Sequence, residues 1–147
     1  MPPISEAHEK RKKLMGHLIE TWCIEKEIEL IPTGSAPLKL LKEAGGEPDE
    51  SYHIGEEKDR PDLVIEVALT SGGLSKRAFY ASFEIPEIWI WRNETLEVHS
   101  FDKASSGYER CEASRVLEGI DIAAIQACST LPSLNQAVRE FRRMSKV

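Results

Sequence analysis

Cysteine is scarce in this chain. There are three, Cys23, Cys111 and Cys128, an odd number with no CxxC spacing. That pattern excludes a disulfide framework and a cysteine zinc site, and it predicts a reducing, cytoplasmic setting. Cys23, beside Trp22 in a helical pattern, reads as a small core residue. Long apolar runs are also missing. None approaches the ~20 residues that span a bilayer, so no membrane segment is expected. The opening MPPISEAHEKRKK is charged and lacks the apolar stretch of a secretory signal. Histidines are few and scattered, at positions 8, 17, 53 and 99, and none is assigned as a ligand. Basic charge is in deficit as well: 19 Lys and Arg stand against 25 Asp and Glu, for a net charge of −6. This disfavours non-specific nucleic-acid binding, where phosphate neutralisation dominates affinity.

What remains is sufficient for a globular fold. At 147 residues the chain is long enough for a core without staples, and a single domain over 1–147 is expected. The charge is unevenly placed. KRKK (10–13) and REFRRMSK (139–146) are basic, whereas 47–66 is rich in Asp and Glu. Basic ends around an acidic centre suit a metal site flanked by phosphate contacts. They equally suit solvated helix faces.

Periodicity predicts a helix over 5–27, with Leu14, Leu18 and Trp22 at every fourth position and Ser5 as its N-cap. Short strands are expected at 28–32 and, from its neighbours, at 37–43. Strands at 47–55 and 61–69 flank the polar EEKDR as a hairpin. After TSGG (70–73) a helix is expected over 74–83, ending before Pro86. EIWIWR (87–92) and TLEVHSF (95–101) alternate strongly as strands around a turn at Asn93 and Glu94. One or two more strands are expected within 107–119, then helices at 120–129 and 131–144, the last with a Leu134, Val138, Phe141 stripe. The strand–helix–strand passage over 61–92 requires a parallel pair inside a mixed sheet. The fold class is therefore α/β, a mixed sheet with helices on both sides.

Glu66 sits in the middle of an apolar strand, and its charge needs a partner. Side chains alternate along a strand, so Leu63, Ile65, Val67 and Leu69 share one face and Asp62, Val64, Glu66 and Ala68 the other. Asp62 lies four residues away, roughly 13 Å at ~3.3 Å per residue, too far to share an ion with Glu66. Asp49, on the neighbouring strand, is the better partner for a hard cation completed by water. The following helix presents Lys76 and Tyr80 together, four residues apart. Two acids, a metal and an ammonium in one cleft suit phosphodiester hydrolysis. The metal polarises the phosphate and acidifies a bound water; the ammonium orients that water or stabilises developing charge. The same residues also fit a plain Glu66–Lys76 ion pair, with Asp49 and Asp62 as turn residues. Trp89 and Trp91 read as core or a subunit contact, with base stacking a lesser option. SGG (71–73) reads as a tight turn or a phosphate cradle.

The segments EPDESYHIG, RPDLVIEVALTSGGLSK, Tyr80 and IPEIWIW resemble the Uma-type restriction endonucleases, a group abundant in cyanobacteria within the PD-(D/E)xK nuclease superfamily. The resemblance runs from the first helix to SRVLEGIDI (114–122). It implies a restriction-endonuclease-like core and Mg2+ (or Mn2+) as cofactor. It makes Asp49 the PD aspartate and Glu66 the second acid, both metal-binding, and it points to Lys76 as the catalytic lysine. The usual lysine position, two after the glutamate, is Ala68 here. Tyr80 matches a recurrent tyrosine suited to core packing. Asp62 is a lesser contributor, and Glu25 is either a further metal-side acid or, as its place favours, a surface residue. The implied activity is metal-dependent hydrolysis of DNA, with a homodimer by analogy to nucleases of this size. The alternative is a catalytically inactive nuclease-fold module that binds nucleic acid or a protein. A third reading is an oligomerisation domain built on the tryptophan strand.

Overall fold

The computed structural model describes residues 4–68 and 76–147. In chain order the elements are α1 (Ile4–Glu25), β1 (Leu30–Pro32), α2 (Ser35–Glu43), β2 (Glu50–Ile54), β3 (Leu63–Val67) and α3 (Arg77–Ala81). There follow β4 (Glu87–Arg92), β5 (Thr95–Asp102), β6 (Gly107–Cys111), α4 (Ile122–Cys128) and α5 (Leu134–Ser145). The six strands form one mixed sheet in the order β1-β2-β3-β4-β5-β6. All neighbours are antiparallel except β3 and β4, which run parallel across the α3 crossover. The α/β class and the restriction-endonuclease-like mixed sheet flanked by helices are thus as the sequence predicts.

Alternation along the strands sorts the core into two layers. One face of the sheet carries Leu63, Ile65, Val67, Trp89, Trp91, Leu96 and Val98 against α1, α4 and α5. The other face carries Val64, Ile88 and Ile90 against Tyr80 and Ile85. Trp89 and Trp91 are fully buried within the chain, so neither subunit contact nor base stacking draws on their rings. A buried aromatic removes about 150–250 Å² from water. At ~25 cal/mol per Å² that stabilises by roughly 4–6 kcal/mol each as an upper bound, which makes the tryptophan strand the anchor of the core.

Local signals place the helices. Asp121 caps α4 by accepting from the Ala124 N–H, and Ser133 caps α5 by accepting from the Gln136 N–H. In α5, Phe141 is buried while Leu134 and Val138 pack partly buried against the same core. The turn between β4 and β5 holds Asn93 and Glu94 both at left-handed φ, 51° and 57°, as a tight two-residue hairpin demands.

Two expectations are corrected. Residues 37–43 form part of helix α2, not a strand. Leu38 and Leu40 alternate like a strand, but Leu38 and Leu41 have helical spacing, and Leu41 is the one fully buried. Pro37 stands in the first turn, where its missing N–H costs the helix nothing. Ser5 lies inside α1, which already runs from Ile4, so it is not the cap. Within 107–119 one strand forms, of the one or two expected, and past Cys111 the chain continues in turns and bends up to Gly119. The expectations for SGG (71–73), for Leu69 and for residues 74–75 of the helix fall outside the described residues.

Candidate active site

The β2–β3 register positions the two acids. Glu50 pairs with Ile65 and Ser51 with Val64. Extending that register by one step puts Asp49 opposite Glu66, on the same side of the sheet. Directly opposed residues hold their Cβ atoms about 4.5–5.5 Å apart. Asp49 stands just before the strand and is held at both oxygens. Its Oδ2 accepts the Val67 N–H at 2.7 Å. Its Oδ1 lies 3.0 Å from His8 Nε2. Gly46, in the approach to Asp49, lies against the Phe79 ring of α3, so close that a Cβ there would sit 2.3 Å from it.

Glu66 is 3% exposed. Its Oε1 accepts a hydrogen bond from the Tyr80 hydroxyl, and its Oε2 from Lys76 Nζ at 3.1 Å. Lys76 is the residue just before α3 and Tyr80 stands one turn on, so both reach the same carboxylate from one helix face. Burial pushes the Glu66 carboxyl above the usual range. The Tyr80 hydroxyl and the Lys76 ammonium pull the other way, and the Asp49 charge adds to the rise. Burial, then the neighbouring Glu66 charge, pushes Tyr80 up as well, so it remains a donor. The Lys76 side chain is 46% exposed. Its ammonium thus stands at the mouth of the site while Glu66 forms the floor. Beside Asp49 opens a cleft of about 330 Å³ whose wall includes Lys12, Thr33 and Glu50.

The structure therefore brings Lys76 onto Glu66 and sets Asp49 beside them. It separates two lesser candidates. Asp62 accepts the Ile54 N–H and Lys58 Nζ, both at 2.7 Å, and so closes the β2–β3 hairpin. Glu25 pairs with Arg142 Nη1 at 2.9 Å, tying α1 to α5. Tyr80 does more than pack, since its hydroxyl holds Glu66. The residue that sequence reasoning missed is His8. A signal was present: His8 precedes Met15 and Trp22 by seven and fourteen residues, on the extension of the buried stripe of α1.

The donor set fits one kind of ion. Among the described residues, no group of three or more His, Cys, Asp or Glu side chains is gathered to hold a metal. Mg2+ does not require such a cage. It keeps several waters and is bound through one or two carboxylates together with substrate phosphate. An ionised carboxylate offers about four lone-pair sites, so the bonds already made to Asp49 and Glu66 leave acceptor capacity free.

Among the described residues no helix is long and apolar enough to cross a membrane. A family profile described as "Uma2: Putative restriction endonuclease" matches residues 1–134. No curated protein matches the chain.

Proposed function

The chain belongs to the Uma2 restriction endonuclease family, and from that premise we propose that it is a metal-dependent endonuclease hydrolysing DNA phosphodiester bonds at Asp49, Glu66 and Lys76. The observation that carries this reading is the treatment of Glu66. A carboxylate 3% exposed in a central strand is met by an ammonium and a phenol from one short helix, with a second carboxylate opposite. A purely structural ion pair needs neither the second acid nor the burial, because a buried pair contributes little net stability. The same reading takes 1–147 as one restriction-endonuclease-like unit.

Asp49 and Glu66 would hold Mg2+ or Mn2+ between the ends of β2 and β3. Bound there, the ion supplies Lewis-acid polarisation of a phosphoryl oxygen and a water of lowered pKa. The chain's own groups do the remaining work. The Val67 N–H and His8 fix the Asp49 carboxylate at its two oxygens. Tyr80 fixes Oε1 of Glu66 and leaves Oε2 to Lys76. Lys76 carries a positive charge to the position where negative charge develops on the phosphoryl group, the electrostatic role that the usual lysine of the wider superfamily fills from two residues after the glutamate. Its half-exposed stem leaves room to swing from Glu66 to a phosphate oxygen.

One observation favours the inactive-module alternative: Ala68 occupies the usual lysine position and Lys76 Nζ is engaged by Glu66. The two readings separate on a plasmid-cleavage assay run beside Mn2+ titration calorimetry. Asp49→Ala and Glu66→Ala should each abolish ion binding and cleavage together. Lys76→Ala should keep ion binding and stop turnover. A well-folded wild-type protein that binds DNA and ion yet never cuts would overturn the enzymatic reading.

A further inference from the structure

The sheet face that carries Glu66 also carries a second buried acid that the proposed chemistry does not use. Glu66 pairs in register with Ile90, and Ile90 with Glu97. The three therefore lie in one row across β3, β4 and β5. Glu97 is 5% exposed and surrounded by cations. Arg92 Nε stands 2.9 Å from Oε2, off the axis of a good hydrogen bond. Arg110 Nη1 stands 3.7 Å from the same oxygen, and His99 Nε2 3.0 Å from Oε1. Arg77, at the start of α3, adds its positive charge toward His99. Burial pushes the Glu97 carboxyl up, but the contacts from His99 and Arg92 and the charge of Arg110 outweigh it and leave it below the usual range. Burial pushes His99 down, which keeps the imidazole neutral near pH 7. Two guanidinium groups, those of Arg92 and Arg110, thus answer one carboxylate. The opposing charge nearby is Glu112, which shares a cleft with Arg110 and Glu97.

The arrangement is more than a neutralised core. A guanidinium has five donors, and one contact to Glu97 leaves most of each fork unspent. Arg92 and Arg110 are 27% and 58% exposed at the side chain, so the free donors face outward while Glu97 holds their inner ends. Two strand spacings of about 4.8 Å put this group roughly 10 Å from Glu66 along the row. A duplex strand carries a phosphate every ~3.4 Å of axis and at wider spacing along its backbone, so that span reaches from the scissile phosphate to a near neighbour on the same strand.

We propose that Arg92 and Arg110, tethered by Glu97, form a second phosphate contact for the DNA strand whose scissile phosphate lies at Glu66 and Lys76. The inference rests on the nuclease reading for the occupant of the face. It adds the direction in which the strand leaves the site, towards the exposed arginines at the β5–β6 side of the sheet. Outward guanidinium forks match phosphate oxygens bidentately.

The test is fluorescence anisotropy with a labelled 20-base-pair duplex, at several NaCl concentrations and with EDTA so that no cleavage occurs. Arg110→Gln is the main variant because the side chain is exposed. Arg92→Gln is the second, with a thermal melt as its fold control. Each should make the slope of log K against log salt shallower by about 0.9, the value for one lost phosphate contact. By the same power law, with 1 M as reference, affinity should fall about eightfold at 0.1 M salt. Glu112→Gln should tighten binding. Unchanged affinity and slope in both arginine variants, or no duplex binding by the wild-type protein, would overturn the inference. If the arginine variants lose binding while wild-type protein fails to cut DNA with Mn2+, the phosphate contact stands and the cleavage reading falls.

Discussion

Tyr80→Phe isolates the bond that holds Glu66. The substitution removes one hydroxyl from a ring that is fully buried, so it creates almost no cavity. It leaves Oε1 of Glu66 without the only donor found there among the described residues. A hydrogen bond to a charged group contributes about 1.5–3 kcal/mol, and a buried acceptor left unpaired costs a similar amount. With an unfolding entropy of ~2.1 cal/mol/K per residue over 147 residues, that loss lowers Tm by about 5–10 °C. The effect should depend on pH. Glu66 already has a folded-state pKa above its ordinary 4.5, with burial as the main cause, and Tyr80 is among the groups that restrain the rise. Removing the phenol raises it further. Where the folded pKa exceeds the unfolded one, the folded state binds more protons in between, so stability falls as pH rises through that window. The variant should therefore lose little at pH 4, where the carboxyl is mostly protonated in both states, and most at pH 8. Urea melts of wild-type and variant protein at the two pH values, without divalent ions, measure this directly. Equal destabilisation at pH 4 and pH 8 would refute the reasoning, because it would mean that the phenol supports packing rather than the charge.

Three other substitutions have defined outcomes. Glu66→Gln in the ion-free protein should cost less stability at pH 8 than Tyr80→Phe, since the neutral amide escapes the burial penalty that raises the Glu66 pKa; paired urea melts decide it. Gly46→Ala should destabilise by about 1–3 kcal/mol, because the added methyl meets the Phe79 ring at 2.3 Å and must displace the wall between α3 and Asp49; a thermal melt reads the loss, and calorimetry with Mn2+ reads the displaced aspartate. Glu94→Gly should stabilise by about 0.5–1 kcal/mol, since Glu94 sits at φ 57° where a side chain is strained and glycine is not; a Tm at or below wild type would show that its 3.6 Å pair with Arg11 outweighs the strain.

How much of this was legible in the sequence differs between fold and site, and the reason is range. The strand periodicity at EIWIWR and TLEVHSF is a local property, and it located β4, β5 and the turn between them. The crossover rule needed only the order strand, helix, strand to demand the parallel pair β3–β4. Residues 37–43 were misread because three leucines satisfy period two and helical spacing at once. What decides is which leucine meets the core, and Leu41 does so through tertiary packing that no local window contains. The basic run KRKK was also ambiguous. Arg11 resolves it in part by leaving solvent to donate to the Ser129 carbonyl and lie 4.6 Å over the Trp91 ring. A residue 118 positions away supplies that carbonyl, so the run alone could not distinguish a solvated face from a packed one.

The site shows the same boundary from the other side. Alternation put Glu66 on the face away from Leu63 and Ile65, and helical spacing put Lys76 and Tyr80 together; both inferences use neighbours within one element. The geometry that joins them is Lys76 Nζ at 3.1 Å and Tyr80 on the other oxygen, and it follows from a short helix that returns over the strand end. His8 escaped notice because its partner, Asp49, lies 41 residues away and on a different element. The physical sense of Lys76 follows from this. On a strand two residues after the glutamate, an amine would share the sheet face and be fixed by the pleat. On a helix, its place depends on α3 docking, and α3 docks through Tyr80, Phe79 and the bare backbone of Gly46. Moving the lysine from strand to helix therefore transfers control of its position from the sheet to that packing, so the contacts beneath α3 become as important to Lys76 as the length of its own side chain.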